Sequence, residues 1–188
     1  DGIRKAAPHI DLVSADPITA ECRIIKSLRE LELMQHASDI TMAAYKETVK
    51  HIELGMRGSD INDLSRQAHA ALGVSGSLGT MLGVVSSSPH GSIVEPLLEE
   101  GMIVLMDGGC NVHNYASDIS RTFVFGNHTA EQEEVWNLEK AAQAAGFAAA
   151  QLGAPQENVD IAARKVITDA GYGPGYKTPG LPHRTGHG

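Results

Sequence analysis

Along the first twenty residues, apolar and polar positions follow no fixed period, and Asp, Pro and Ala are frequent. The stretch reads as an extended lead-in. From about Glu21 a helical pattern sets in. Leu31, Met34, Ile40, Ala44, Thr48 and Ile52 recur near the 3.6-residue period and predict one long amphipathic helix, with Gly55 just beyond its end. Ser59 or Asp60 caps a second helix that runs to about Leu72, and the Gly/Ser-rich GVSGSLG separates it from the middle of the chain. The period then changes. Residues 80–85 (TMLGVV) predict a short strand, 102–107 (MIVLMD) a buried one, and 115–125 (YASDISRTFVF) a third. Thr129 with Gln132 forms a capping box that opens an Ala-rich helix to about Leu152. The turn Gly153–Pro155 ends that helix, and another spans about Val159 to Ala170. Residues 171–188 hold too much glycine and proline for a helix and read as irregular or short-stranded. Helices, then strands, then helices, then strand-like material make an α+β fold rather than a strict βαβ alternation.

Composition narrows the class. The chain has 188 residues, 42% hydrophobic and 20% charged, enough to bury a substantial core. No apolar run approaches the roughly 18 residues of a membrane span, and the N-terminus lacks the apolar core of a signal peptide. Cys22 and Cys110 are too few for a disulfide framework, so reduced thiols and a cytoplasmic setting are expected. A net charge of −8 argues against a nucleic-acid surface, which needs a basic stripe. The first residue is Asp rather than Met, so both ends read as cuts.

Candidate chemistry concentrates in MDGGCNVHNYASDISRTF. Asp107 ends an apolar strand, and Asp118 stands eleven residues later inside the next one. A hairpin with its turn near Val112–His113 sets these two carboxylates face to face. Like charges so placed are destabilising and should not both ionise. A divalent cation between them removes the conflict. The plainer alternative is two exposed turn aspartates, against which stands the apolar run that leads into Asp107. His90, in SSSPHGSI, lies in the loop before the buried strand, a common place for catalytic groups, although an exposed loop histidine would look the same. His183 and His187, in LPHRTGHG, cannot share a helix because of the surrounding proline and glycines. In an extended segment, residues 183, 185 and 187 share a face. These two are either ligands or parts of a polar loop. His9, His36, His51, His69, His113 and His128 receive no role. GVSGSLG lacks the strand and Lys-Ser/Thr of a nucleotide loop, Asn127–Thr129 is a sequon without context, and neither cysteine has the partners of a catalytic thiol.

Together, and in this order along the chain, SSSPHG, MDGGC, YASDISRTF and HRTGHG resemble the pita-bread metallopeptidase family, which includes aminopeptidase P, prolidase and methionine aminopeptidase. Their form is most similar to the Xaa-Pro branch. The resemblance implies a pita-bread α+β catalytic domain over residues 25–188, incomplete at its C-terminus, and residues 1–24 as a lead-in from an absent N-terminal domain. It implies two divalent metal ions (Mn, Co or Zn), with Asp107 chelating one, Asp118 bridging both and His187 on the other. His90 and His183 would contact the substrate at the scissile bond and help move protons. The family's other two ligands are glutamates downstream of the GHG string, one of them the general base. The chain as given carries three of five ligands and should be nearly inactive by itself. The implied activity is exopeptidase cleavage of peptides with proline in the second position, by a cytoplasmic homodimer without nucleic-acid or membrane partners. Two rivals on the same fold are a non-catalytic binding module and a metal-free creatinase-like hydrolase.

Overall fold

The apolar run beginning at Ile103 forms the central strand of the sheet, β2 (Ile103–Val112), and carries five residues beyond the expected end. The structure is a computed structural model, and it describes residues 2–87, 94–173, 180–181 and 183–186. Strand β1 (Gly76–Leu82) pairs antiparallel along one side of β2, with Gly76 opposite Cys110 and Leu82 opposite Val104. Strands β3 (Tyr115–Ala116) and β4 (Ile119–Val124) pair antiparallel along the other side.

Alternation along β2 sorts its side chains between two faces. Val104 and Met106 are fully buried, and Asp107 is exposed. Helices α3 (Leu28–Val49) and α4 (Gly58–Ala71) cover the buried face. The core there is Tyr45, Ile52, Ile61, Leu82, Leu98, Val104 and Met106. Fully burying one such aliphatic side chain is worth about 1.5–3 kcal/mol.

Two expectations for the N-terminal region need correction. Residues 1–20 are not simply extended: α1 (Gly2–Ala6) and α2 (Asp16–Ile24) are helical, with Pro17 in the first turn of α2, where its missing N–H costs nothing. Both are short and bury no residue. Nor is there one long helix from Glu21. Ile25 is extended, and Ser27 restarts the helix through a capping box: its Oγ accepts from the Glu30 N–H, and its own N–H donates to Glu30 Oε2 at 2.6 Å. Tyr115 Oη donates to the other Glu30 oxygen at 2.8 Å, tying this cap to the sheet. These bonds hold the Glu30 carboxyl down at about 2.

The Gly/Ser stretch also behaves differently from its expected role as a separator. Half of it is strand β1, which starts and ends earlier than 80–85. One of its glycines, Gly76, is required by packing. A Cβ on Gly76 would lie 2.3 Å from the imidazole of His69, which is wholly buried on α4 with Nδ1 2.8 Å from the Ser65 carbonyl. Downstream of β1, Glu95 accepts from the Ser59 N–H at 2.6 Å and so ties its segment to the start of α4.

The chain divides into two compact units, Asp1–Phe125 and Gly126–Gly188. The second holds α5 (Ala130–Ala149) and α6 (Glu157–Asp169). Thr129 and Gln132 make both bonds of the capping box expected for α5. Small residues let the two helices approach: a Cβ on Gly146 would already touch Val159 and Ala163. Among the described residues no helix is long and apolar enough to cross a membrane.

Candidate metal centre

The turn between β2 and β3 sets the geometry of the two aspartates. Its central residues, His113 and Asn114, have φ of 49° and 68°. Positive φ at both positions marks a type I′ turn, whose twist matches that of the flanking strands. The turn lies one residue later than the expected Val112–His113, and this shifts the register by one pair position on each strand. Asp107 therefore faces Ser120 instead of Asp118. Ser120 Oγ donates to Asp107 Oδ1 at 2.5 Å. Asp118 is not inside a strand either. It sits in the two-residue interval between β3 and β4, diagonal to Asp107. Diagonal positions share a face and lie within side-chain reach. Both aspartates are exposed, on the sheet face away from α3 and α4.

The backbone around Asp118 departs from a regular ladder. Ser117 N–H donates to the Cys110 carbonyl at 2.9 Å, but the Cys110 N–H goes to Ser117 Oγ at 3.0 Å instead of to a carbonyl. The Ser117 carbonyl turns over Gly109, where a Cβ would sit 1.9 Å from its oxygen. A Cβ on Gly108 would sit 2.2 Å from the Ser77 carbonyl oxygen on β1. Both glycines of MDGGC are thus explained by close backbone approach, from β1 at Gly108 and from the interval between β3 and β4 at Gly109.

Helix α3 reaches this irregular point through a buried stripe at Ala37, Thr41, Ala44, Tyr45 and Thr48. Thr41 Oγ1 and Ser117 Oγ are 2.7 Å apart, and Tyr45 Oη donates to the Ile119 carbonyl at 3.0 Å. Burial, then the charges of Asp107 and Asp118, push the Tyr45 phenol well above its ordinary range, so it stays a proton donor. Nothing in the sequence pattern marks Tyr45 or Ser117 as part of a site. Nor does Thr41 stand out, since Thr48 is an equally buried threonine on the same helical stripe.

In the second unit, His183 is exposed and residues 183–186 are not in a strand, while the expected shared face with His187 reaches beyond the described residues. Asp160 and Arg164 of α6 hold this segment. Arg164 pairs with Asp160 through Nε at 3.1 Å and Nη2 at 3.0 Å, and it also donates to the carbonyls of Leu181 at 2.9 Å and His183 at 3.0 Å. The Thr185 N–H donates to Asp160 Oδ1 at 2.7 Å. The Arg164 guanidinium and this N–H hold the Asp160 carboxyl down at about 2. His183 Nδ1 is 2.9 Å from the Arg184 carbonyl, which can only accept. Nδ1 therefore carries the hydrogen of the neutral ring. His90 and His187 lie outside the described residues. Among the described residues no three His, Cys, Asp or Glu side chains converge as a ready ligand set.

Comparison with known proteins gives one consistent result. Residues 32–188 match the model of metallopeptidase family M24. An uncharacterized peptidase of Staphylococcus haemolyticus is 31% identical over 176 residues, which cover 92% of this chain and 49% of that protein. Among solved structures, the X-Pro aminopeptidase of Thermotoga maritima superposes with a TM-score of 0.81 at 27% identity, covering 92% of this chain and 50% of the other. The prolidase of Pyrococcus furiosus gives 0.79 at 28% identity, over 84% and 48%. The chain spans about half the length of the proteins it matches. Together with the helix–strand–helix order of the chain, these likenesses establish the pita-bread α+β fold.

Proposed function

The chain belongs to metallopeptidase family M24, and from that premise we propose that the intact protein is a metal-dependent exopeptidase hydrolysing Xaa-Pro bonds. The observation that carries this reading is the hairpin that presents Asp107 and Asp118 on one open sheet face, diagonal to each other. The substrate class is supported by similar structures described as an X-Pro aminopeptidase, an Xaa-Pro dipeptidase and a prolidase.

The donor set fits hard divalent ions. Two carboxylates offer up to four oxygens, and the Ser120 hydroxyl occupies one lone pair of Asp107. Asp107 and Asp118, joined by His187, would hold two ions, Mn, Co or Zn. Bound there, such ions supply Lewis acidity toward the scissile carbonyl and lower the pKa of the attacking water.

The chain's own residues do the remaining work. A bond to proline has no amide hydrogen, so the substrate offers its carbonyl and its free amine for recognition. His90 and His183 contact the substrate beside the scissile bond. With Nδ1 held as donor to the Arg184 carbonyl, His183 takes up and returns a proton at Nε2, toward the departing proline nitrogen. The same reading carries a homodimer working in the cytoplasm, without nucleic-acid or membrane partners.

The test is made on the intact protein. Bound Mn, Co and Zn are quantified, and hydrolysis of an Xaa-Pro dipeptide and a longer Xaa-Pro peptide is followed before and after chelation. Activity should vanish with the metal and return on its addition. Asp118→Asn should lose well over a hundredfold, since even residues that only orient a metal ligand carry about 10–100-fold. Hydrolysis that survives full chelation, or unchanged turnover in Asp118→Asn, would overturn the proposal. A protein that never cleaves such peptides would point to a binding module.

A further inference from the structure

Asp118 stands in the one interval where the pairing of β2 with its neighbour departs from a ladder, so the sheet alone does not fix its backbone. Its two neighbours are held by β2, Ser117 through its N–H to the Cys110 carbonyl and Ile119 by pairing with Gly108, and each is held again from the helix side. Ser117 is buried, receives the Cys110 N–H on its Oγ and shares a 2.7 Å hydrogen bond with Thr41. Ile119 packs against the core and gives its carbonyl to Tyr45 Oη at 3.0 Å. Thr41 and Tyr45 lie one helical turn apart on α3, 0% and 3% exposed, so neither hydroxyl can drift toward solvent. With residues 117 and 119 pinned on one face, alternation directs Asp118 to the other.

We propose that Thr41, Tyr45 and Ser117 form a positioning clamp that sets the Asp118 carboxylate for divalent-cation binding, acting through the backbone on either side of it. The clamp rests on the metal-site reading of Asp107 and Asp118. It adds residues that touch neither substrate nor cation, and it assigns α3 a role in the site beyond covering the sheet. Buried hydrogen bonds suit the task. A hydroxyl deep in the interior has few alternative partners, so each bond specifies one geometry. Removing one leaves the fold with a single unpaired group and the carboxylate with a wider range of positions.

The experiment compares wild type, Tyr45→Phe, Thr41→Val, Thr41→Ser and Asp118→Asn as intact proteins. Mn²⁺ affinity is measured by calorimetric titration of the metal-free protein, and the thermal midpoint is measured separately in chelator. Tyr45→Phe and Thr41→Val should each weaken Mn²⁺ binding by about 10–100-fold, the range for residues that orient a metal ligand. Thr41→Ser keeps the hydroxyl and should bind near the wild-type value, even if its midpoint falls. A lower midpoint with unchanged Mn²⁺ affinity in both Tyr45→Phe and Thr41→Val would overturn the clamp while leaving the metal site standing, provided Asp118→Asn loses binding. Wild-type affinity in Asp118→Asn would instead overturn the metal-site reading itself.

Discussion

A single methyl group added at position 109 would sit 1.9 Å from the carbonyl oxygen of Ser117, closer than any relaxed contact allows. The obstacle is backbone, so no rotamer change relieves it. Gly109→Ala should cost about 1–3 kcal/mol, the usual range for overpacking, read as a lower urea midpoint at unchanged slope. Gly79, on β1, is the control. Its nearest neighbour would be 3.7 Å away, and alanine there should be nearly neutral. At this scale the sequence is only partly legible. Asp107 and Asp118 stand out because two acids flank a hairpin, and the structure keeps them on one face. The sequence pattern misplaces their pairing by one turn position, because His113–Asn114 is not an obvious type I′ pair and either neighbouring dipeptide could have held the turn. Thr41, Tyr45 and Ser117 carry no local signature of their role, because what they do depends on a helix and a hairpin more than sixty residues apart in the chain.

Between residue and fold, the caps decide where helices start. Ser27 and Glu30 carry the same signature as Thr129 and Gln132, yet only the second pair is evident in the sequence. A helical period running from Glu21 through Ile52 masks the break at Ile25–Ser27, where a short non-helical step turns a single helix into two. Ser27→Ala should destabilise the protein by about 1 kcal/mol in chemical denaturation. The cap is also pH-dependent. Glu30 is lowered from 4.5 to about 2, chiefly by its bonds to Ser27 and then by Tyr115. A depressed carboxyl contributes stability that is complete above its unfolded pKa and lost as pH falls through the folded one. The stability difference between wild type and Glu30→Gln should hold above about pH 5 and close between about pH 4.5 and pH 2. A difference that stays constant across that window would mean the carboxylate is not what holds the cap.

For the molecule as a whole, the order of elements is readable, since each long helix and apolar strand keeps its own period. The tail is not. Residues 181 and 183–186 take their path from bonds to Asp160 and Arg164 on a helix some twenty residues upstream, and no local pattern announces such an anchor. Asp160→Asn removes the charge that pairs with Arg164 and weakens the acceptor of the Thr185 N–H. Hydrogen exchange at the Thr185 amide should then quicken by at least about tenfold, in line with the roughly 1.5–3 kcal/mol of a charge-assisted bond. Exchange in the core helix α3 should not change.

The tight turn at His113–Asn114 has a consequence in time as well as in space. Asp107 and Asp118 are only eleven residues apart, and a hairpin of that size closes in about 1–10 μs. Their approach needs little loop entropy and no distant partner. Local closure of the hairpin thus brings two like charges toward each other, and mutual repulsion opposes that closure. Divalent cations in the refolding buffer should therefore speed the earliest phase for wild type and leave Asp118→Asn untouched, so that the cation acts as a folding cofactor before any peptide is bound.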